Sequence, residues 1–211
     1  MNNLEFFTYS FASLFAIVSP LSAVVTFVSL TNKLTFEEKN IIANKAVTLA
    51  CIMALFFAIS GELILNFFGI TIDSLRVAGG ILLFTVAFDM MLAKVSRESI
   101  TDNEIDKSQD RTDIWIFPIA LPLLTGPGTI TTVIVLMSGS ATIIQSGSVL
   151  LAIIATFGIT LVLYRFSRRV YKLLGYTGML VFTRLMGLLL AAMAVNFIVT
   201  GIWNIYMSFQ I

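Results

Sequence analysis

Histidine is absent from this chain of 211 residues, cysteine occurs once, and only 12% of the residues are charged. Without histidine, the commonest metal ligand and proton shuttle is missing, so we expect no metal site and no cofactor. The single cysteine, Cys51, excludes a disulfide within the chain. A net charge of +1 gives no electrostatic reason to expect a nucleic-acid partner. Soluble domains carry about 25% charged residues, so this chain cannot form a soluble surface.

The sequence also lacks the residues that an enzyme inside a membrane would need. Intramembrane hydrolysis requires a serine–histidine pair, paired aspartates or a metal cluster. Asp89 is the only aspartate well inside a predicted helix. A glycine-rich nucleotide-binding loop ending in lysine is absent too, which argues against a primary pump. We therefore expect a protein that is not an enzyme.

Apolar sequence is abundant: 58% of the residues are hydrophobic and the mean hydropathy is +0.96. A helix needs about 20 mostly apolar residues to cross a bilayer. Six stretches reach that length, over roughly 4–30, 42–68, 74–93, 114–138, 147–169 and 181–207. We predict an all-α membrane protein with six transmembrane helices, forming a single integral membrane domain over 1–211.

Basic residues lie almost entirely on one side of this predicted domain. The loops after the first, third and fifth helices, with the adjoining helix ends, hold twelve lysines and arginines, and the other side holds only Arg76. The positive-inside rule makes the basic side cytoplasmic, so both termini are expected outside. The polar segment 94–113 is then a cytoplasmic linker between repeat 1 (1–93) and repeat 2 (114–211).

Three short matches between the two halves favour an internal repeat. Each match has an offset of 106 to 108 positions: 19–22 with 126–129, 65–71 with 171–177, and 76–79 with 184–187. Because each half has three helices, an odd number, the second half must enter the membrane from the opposite side. We predict two inverted three-helix repeats. The alternative is a generic six-helix bundle with chance similarity.

Prolines interrupt the first and fourth hydrophobic runs at matching points. The first break is Ser19-Pro20-Leu21-Ser22, and the second break is Thr125-Gly126-Pro127-Gly128-Thr129. Proline removes a backbone donor, and the freed carbonyls need partners that nearby hydroxyls can supply; serine and threonine are also good helix N-caps. We expect a kink or partial unwinding at the first break. Glycine on both sides of Pro127 predicts a true discontinuity at the second.

Pro118 and Pro122 make the entry half of the fourth helix irregular, and a short re-entrant half-helix is expected there. At a broken helix, the open N-terminus suits a carboxylate, and the open C-terminus suits an ammonium group or a cation. A zwitterionic amino acid carries both groups, so the two breaks predict a substrate site at the membrane midplane. Close helix packing is the alternative role for their small residues. The candidate substrate-binding residues are Ser19, Pro20, Ser22, Thr125, Gly126, Pro127, Gly128, Thr129 and Asn196.

Four ionisable residues in the helices are candidates for gating or ion coupling: Glu62, Arg76, Asp89 and Arg184. We expect Glu62 to pair with Arg76 at the outer face, and Asp89 to pair with Arg184 at the cytoplasmic face. The alternative is that all four are interfacial anchors. Asn196, midway along the sixth helix, either reaches the central site or forms an interhelical hydrogen bond.

Several of these segments resemble one known family. The stretch Phe117–Ile130 resembles the signature of the MarC family of prokaryotic inner-membrane proteins, and Phe15–Ser22, Phe27–Thr31, Ala78–Leu83 and Thr183–Ala192 also fit its pattern. The resemblance covers essentially the whole chain. The first break departs from the family pattern, in which aspartate precedes the proline and glycine follows it. That departure bears on coupling or substrate choice.

The resemblance implies a secondary transporter of small neutral amino acids such as glycine, alanine or serine. Transport would cross the cytoplasmic (inner) membrane by alternating access of the two halves, coupled to a proton or sodium gradient. The alternative is a small-solute channel, or an exporter of other metabolites or drugs. A homo-oligomer is compatible with the sequence.

Overall fold

The computed structural model describes residues 2–32, 34–92 and 113–210, and all the regular elements in these ranges are helices. The predicted linker 94–113 lies outside the described residues, apart from Asp113. The helices are α1 (Asn3–Val18), α2 (Pro20–Leu30), α3 (Phe36–Phe67), α4 (Ile72–Met91), α5 (Trp115–Leu124), α6 (Pro127–Ser138), α7 (Ile143–Arg165) and α8 (Ser167–Ser208).

Five stretches of the described chain are long and apolar enough to cross a bilayer, and the bent pair α5–α6 makes a sixth span. Helices α1 and α2 together form the first span, Asn3–Leu30. The last span begins at Thr177, because α8 is kinked at Gly175, where φ is 63°. The prediction of an all-α membrane protein is confirmed, and the described chain has five candidate spans, or the six that were predicted when the bent pair is counted as one.

Threonine begins three of the long helices. The hydroxyls of Thr35, Thr71 and Thr142 each accept a hydrogen bond from the backbone N–H three residues further on, at 3.3, 3.1 and 3.3 Å. Such caps satisfy donors that the first turn of a helix leaves open. Local sequence therefore sets where α3, α4 and α7 begin.

The apolar interior has two parts. The larger part joins α1, α2, α3, α5, α6 and α7, and the smaller part is formed mainly by α4 and α8. Helices α4 and α8 are antiparallel and approach closely at glycines. A Cβ at Gly80 would lie 3.0 Å from the Ala194 carbonyl oxygen, and a Cβ at Gly187 would lie 3.0 Å from the Ala87 carbonyl oxygen. Backbones pack this closely in membranes where the interface residues are small.

Candidate functional site

The first break consists of a single non-helical residue. Ser19 has φ 42° and ψ 63°, in the left-handed region, and it both ends α1 and precedes α2. Its N–H donates to the Phe15 carbonyl at 3.0 Å, and its carbonyl accepts from the Ala23 N–H at 3.0 Å. The expected kink or partial unwinding is confirmed, since Ser19 interrupts a span that otherwise continues.

The hydroxyls of the first break form a chain that leads to α8. Ser19 Oγ donates to Ser22 Oγ at 2.7 Å, and Ser22 Oγ lies 2.8 Å from Thr183 Oγ1. Because Thr183 Oγ1 donates to the Met179 carbonyl at 2.9 Å, Ser22 is the donor to Thr183. Ser19 occupies the N-cap position of α2, but its side chain makes no cap hydrogen bond. The expected serine cap is therefore wrong here, because the hydroxyl is bonded to Ser22.

The second break is longer and more irregular. Thr125 and Gly126 are both non-helical, Gly126 being extended at φ −85° and ψ 179°, and α5 meets α6 at 53°. The expected discontinuity is confirmed. The irregular entry half is confirmed as well: in α5 the backbone is extended at Phe117 and Leu121, which directly precede the two prolines. Residues before proline avoid the helical conformation for steric reasons.

Hydroxyls of the second break bond to carbonyl groups. Thr125 Oγ1 donates to the Ala50 carbonyl in α3 at 3.0 Å, and Thr129 Oγ1 donates to the Leu124 carbonyl at 3.2 Å. A Cβ at Gly126 would lie 2.6 Å from the Pro122 carbonyl oxygen, so only glycine fits there. The expectation that local hydroxyls satisfy freed carbonyls is confirmed at this break, where Thr129 reaches the end of α5.

The two breaks lie against each other inside the protein. A Cβ at Gly128 would lie 2.9 Å from Ile17 Cδ1 and 2.9 Å from Leu83 Cδ2. Ile17 directly precedes the end of α1, and Leu83 is a fully buried residue of α4. The site therefore includes the end of α1 and the start of α6, with the α4–α8 pair packed against both breaks.

Arg76 forms an ion pair, but not with the predicted partner. Arg76 Nη1 donates to Asp73 Oδ1 at 3.1 Å, and Asn204 Nδ2 donates to the same oxygen at 2.9 Å. The expected pairing of Arg76 with Glu62 is wrong. Asp73 lies one turn before Arg76 on the same helix, whereas Glu62 is exposed on α3. The resulting polar cluster joins the start of α4 to the end of α8.

The other candidates do not meet at the breaks. Asp89 is half-buried and Arg184 is exposed, and no ion pair links them in the described part of the chain, so this predicted pairing is also wrong. Asn196 is exposed, and its amide oxygen accepts from Thr200 Oγ1 at 3.2 Å. The structure thus does not place Asn196 among the buried residues of the breaks.

Sequence reasoning missed two residues of the site. Thr183 bonds to Ser22, and Leu83 packs on Gly128. A hydroxyl in the first turns of the sixth span was a usable signal for Thr183, whereas nothing in the sequence distinguishes Leu83 from neighbouring leucines. Within residues 2–32, 34–92 and 113–210, no three acidic, cysteine or histidine side chains cluster as metal ligands would.

Comparison with known proteins agrees with this architecture. A family described as "MarC family integral membrane protein" matches residues 4–206, which is nearly the whole chain. The chain belongs to the MarC family. No solved structure matches it.

Relatives within the MarC family span the same length as this chain. A "UPF0056 membrane protein" of Aquifex aeolicus is 40% identical over 199 residues, covering 94% of this chain and 93% of the relative. MJ1677 of Methanocaldococcus jannaschii is 38% identical, covering 95% and 97%. YvbG of Bacillus subtilis is 38% identical, covering 96% and 96%. The family thus occurs in bacteria and archaea, and these three names describe membrane proteins without stating a substrate.

Proposed function

We propose that this protein is a secondary transporter of small neutral amino acids such as glycine, alanine and serine. It moves them across the cytoplasmic membrane by alternating access of two inverted halves, coupled to a proton or sodium gradient. The observation that carries the proposal is the contact between two broken spans, where Ile17 beside the first break packs on Gly128 in the second. Transporters commonly bind substrate where broken helices meet.

The chemistry of the two breaks matches a zwitterion. Helices α2 and α6 both begin with proline and lack a side-chain cap, so each leaves N–H groups in its first turn open. These ends carry a partial positive charge that suits a carboxylate, and the end of α1 carries a partial negative charge that suits an ammonium group. None of the described residues of either break is charged. A small net-neutral substrate is therefore favoured over an ionic one.

Matching glycines support the inverted repeat through which we propose alternating access. Gly69 and Gly175 are 106 positions apart, and they are the two described glycines with positive φ, at 66° and 63°. Both lie just before the third span of their half. A positive φ is easy only for glycine, so the shared φ explains the shared residue.

Packing between α4 and α8 supports the same symmetry. Gly187 lies against Met90. Shifting Gly187 back by 108 positions and Met90 forward by 108 gives positions 79 and 198 as the corresponding contact in the other half. Gly80 lies against Ile198, which is within one residue of that expectation. The two halves, 1–93 and 114–211, are accordingly proposed as antiparallel copies with both termini outside.

Counterflow in proteoliposomes tests the proposal. Purified protein is reconstituted in vesicles loaded with unlabelled glycine, and uptake of labelled glycine is followed with and without internal glycine. A carrier gives faster, saturable uptake when the inside is loaded, and alanine and serine compete. A channel gives uptake that internal glycine does not accelerate, and the absence of saturable uptake for any neutral amino acid would reject the transporter.

A further inference from the structure

The end of α1 buries carbonyl groups that lack their usual donors. The Ala16 carbonyl would accept from the N–H of residue 20, but that residue is proline. The Val18 carbonyl would accept from Ser22, but left-handed Ser19 interrupts the helix. Ala16 and Val18 are 3% and 2% exposed, and Ser19 lies in no hydrogen-bonded turn, so neither oxygen accepts from the backbone N–H groups just beyond the break. Buried carbonyls need a partner, and here the helix dipole adds negative potential.

A hydroxyl without a partner lies on α7. Thr156 is fully buried, and its Oγ1 has no hydrogen-bond partner among the described residues. Thr160, one turn later, instead donates to the Thr156 carbonyl at 2.8 Å. Thr156 makes no such bond to its own helix, and it lies on the face of α7 that also buries Val149 and Ile153. Its oxygen therefore remains available to a ligand inside the protein.

Thr156 lies at the depth of the first break. Phe27 of α2 stacks on Tyr164 of α7 with 4.2 Å between ring centroids. Tyr164 is in the last turn of α7, and α1 also packs on α7, so the first span and α7 run in the same direction. Ser19 lies eight residues before Phe27, and Thr156 lies eight residues before Tyr164. Both are therefore about 12 Å from this ring pair, measured along their helices.

The second break gives the same depth if the halves are repeats. Thr125 of the second break bonds to the Ala50 carbonyl of α3. With the offset of 107 that relates the two prolines, this contact corresponds to one between positions 18 and 157. Position 157 directly follows Thr156, so both estimates put Thr156 at the depth of the end of α1.

We propose that a sodium ion binds between the end of α1 and α7, with the carbonyl oxygens of Ala16 and Val18 and the hydroxyl of Thr156 as ligands. The site would supply the coupling ion of the transporter, so this inference rests on the proposed function. All its ligands are neutral oxygens, which together with the dipole of α1 suit a monovalent cation. Calcium sites use carboxylates, and magnesium keeps several waters.

Thermal unfolding in different salts tests the site without measuring transport. Purified protein is heated in sodium, potassium or choline chloride at equal ionic strength, and tryptophan fluorescence reports unfolding. Sodium is expected to raise the Tm saturably above the value in potassium or choline. Thr156→Val removes the hydroxyl at equal volume and should weaken the apparent sodium affinity about tenfold, as expected when one ligand is lost.

Thr160→Val is the matched control, since Thr160 is equally buried but bonds within its own helix. Its sodium affinity should stay within about twofold of the original. Thr156→Ser keeps the hydroxyl and should retain sodium binding even if the valine variant fails to fold. Equal stabilisation by sodium and potassium, or equal losses in the two valine variants, would overturn the site.

Glycine measurements separate this inference from the proposed function. If the protein exchanges glycine but sodium gives no specific stabilisation, the sodium site is rejected and the proposed transporter function stands. If sodium stabilises the protein specifically but no glycine is exchanged, the sodium site stands and the proposed transporter function is rejected. If Thr156→Val weakens stabilisation by glycine in sodium-free buffer and leaves the sodium effect intact, the substrate ammonium group occupies this position and the sodium assignment is wrong.

Discussion

In both breaks a proline begins the following helix, but the backbone structures of the two breaks differ. The first break takes one residue, Ser19, out of a span that otherwise continues, while the second takes out Thr125 and Gly126 and bends the span by 53°. Hydroxyls of the first break bond to each other and to α8, whereas those of the second bond to carbonyls of α3 and α5. A proline sets where a helix breaks, and the neighbouring residues decide what the broken ends contact.

This difference has a consequence for stability. The second break depends on close backbone approach at Gly126 and on satisfied carbonyls, so it is a structural element of the larger apolar interior. The first break connects that interior to the α4–α8 pair through the contact between Ser22 and Thr183. We therefore expect the second break to respond more strongly to substitution in a stability measurement.

The largest effect is expected from Gly126→Ala. The new methyl group would lie 2.6 Å from the Pro122 carbonyl oxygen, which is backbone and cannot move aside. Overpacking of this kind costs about 2 kcal/mol or more. Gly158→Ala in α7 is the control, because no atom lies within 4 Å of its added Cβ. Unfolding titrations in mixed detergent should show a large loss for the first variant and none for the second; similar stabilities would contradict a tightly packed second break.

A smaller effect is expected from Thr125→Val. This change removes the hydrogen bond to the Ala50 carbonyl and should cost about 1 kcal/mol. Thr132→Val is the matched control, since Thr132 is also buried but its hydroxyl donates within its own helix, to the Gly128 carbonyl at 2.8 Å. The same unfolding titration measures both variants. A loss that is no greater for Thr125→Val than for Thr132→Val would show that the link to α3 contributes little.

The smallest effect is expected from Ser19→Gly at the first break. Glycine relieves the left-handed strain of a residue at φ 42°, worth about 1 kcal/mol, while the lost bond to Ser22 costs about as much. The free energy of unfolding should therefore hardly change. Ser22→Ala keeps the strain and removes two hydroxyl contacts, so it should be less stable than Ser19→Gly. The reverse order would mean that left-handed Ser19 carries no strain.

Features with a local cause were predictable from the sequence. The spans follow from apolar runs, and the contrast between the breaks follows from the glycines on both sides of Pro127. The partner of Arg76 also had a local cause that was overlooked, since Asp73 lies three residues earlier on the same helix. Thr183 is different, because its contact with Ser22 depends on how α8 packs across α2.

The structural relation between the two halves could be described only from the three-dimensional structure. The sequence matches suggested a repeat, but that Gly69 and Gly175 both adopt a positive φ was established only by the coordinates. In the same way, Thr156 stands out among the described fully buried threonines because its hydroxyl has no hydrogen-bond partner. Which hydroxyls lack a partner follows only from three-dimensional packing.

Ser19 also acts as a hinge between helices α1 and α2. Its N–H bonds only to α1 and its carbonyl only to α2, and no described backbone hydrogen bond spans the residue. Turning its two dihedral angles would swing α2 relative to α1 while both helices keep every internal bond. The contact of Ser22 with Thr183 and the stacking of Phe27 on Tyr164 both resist that movement, so swinging α2 either carries α7 and α8 along or breaks these contacts.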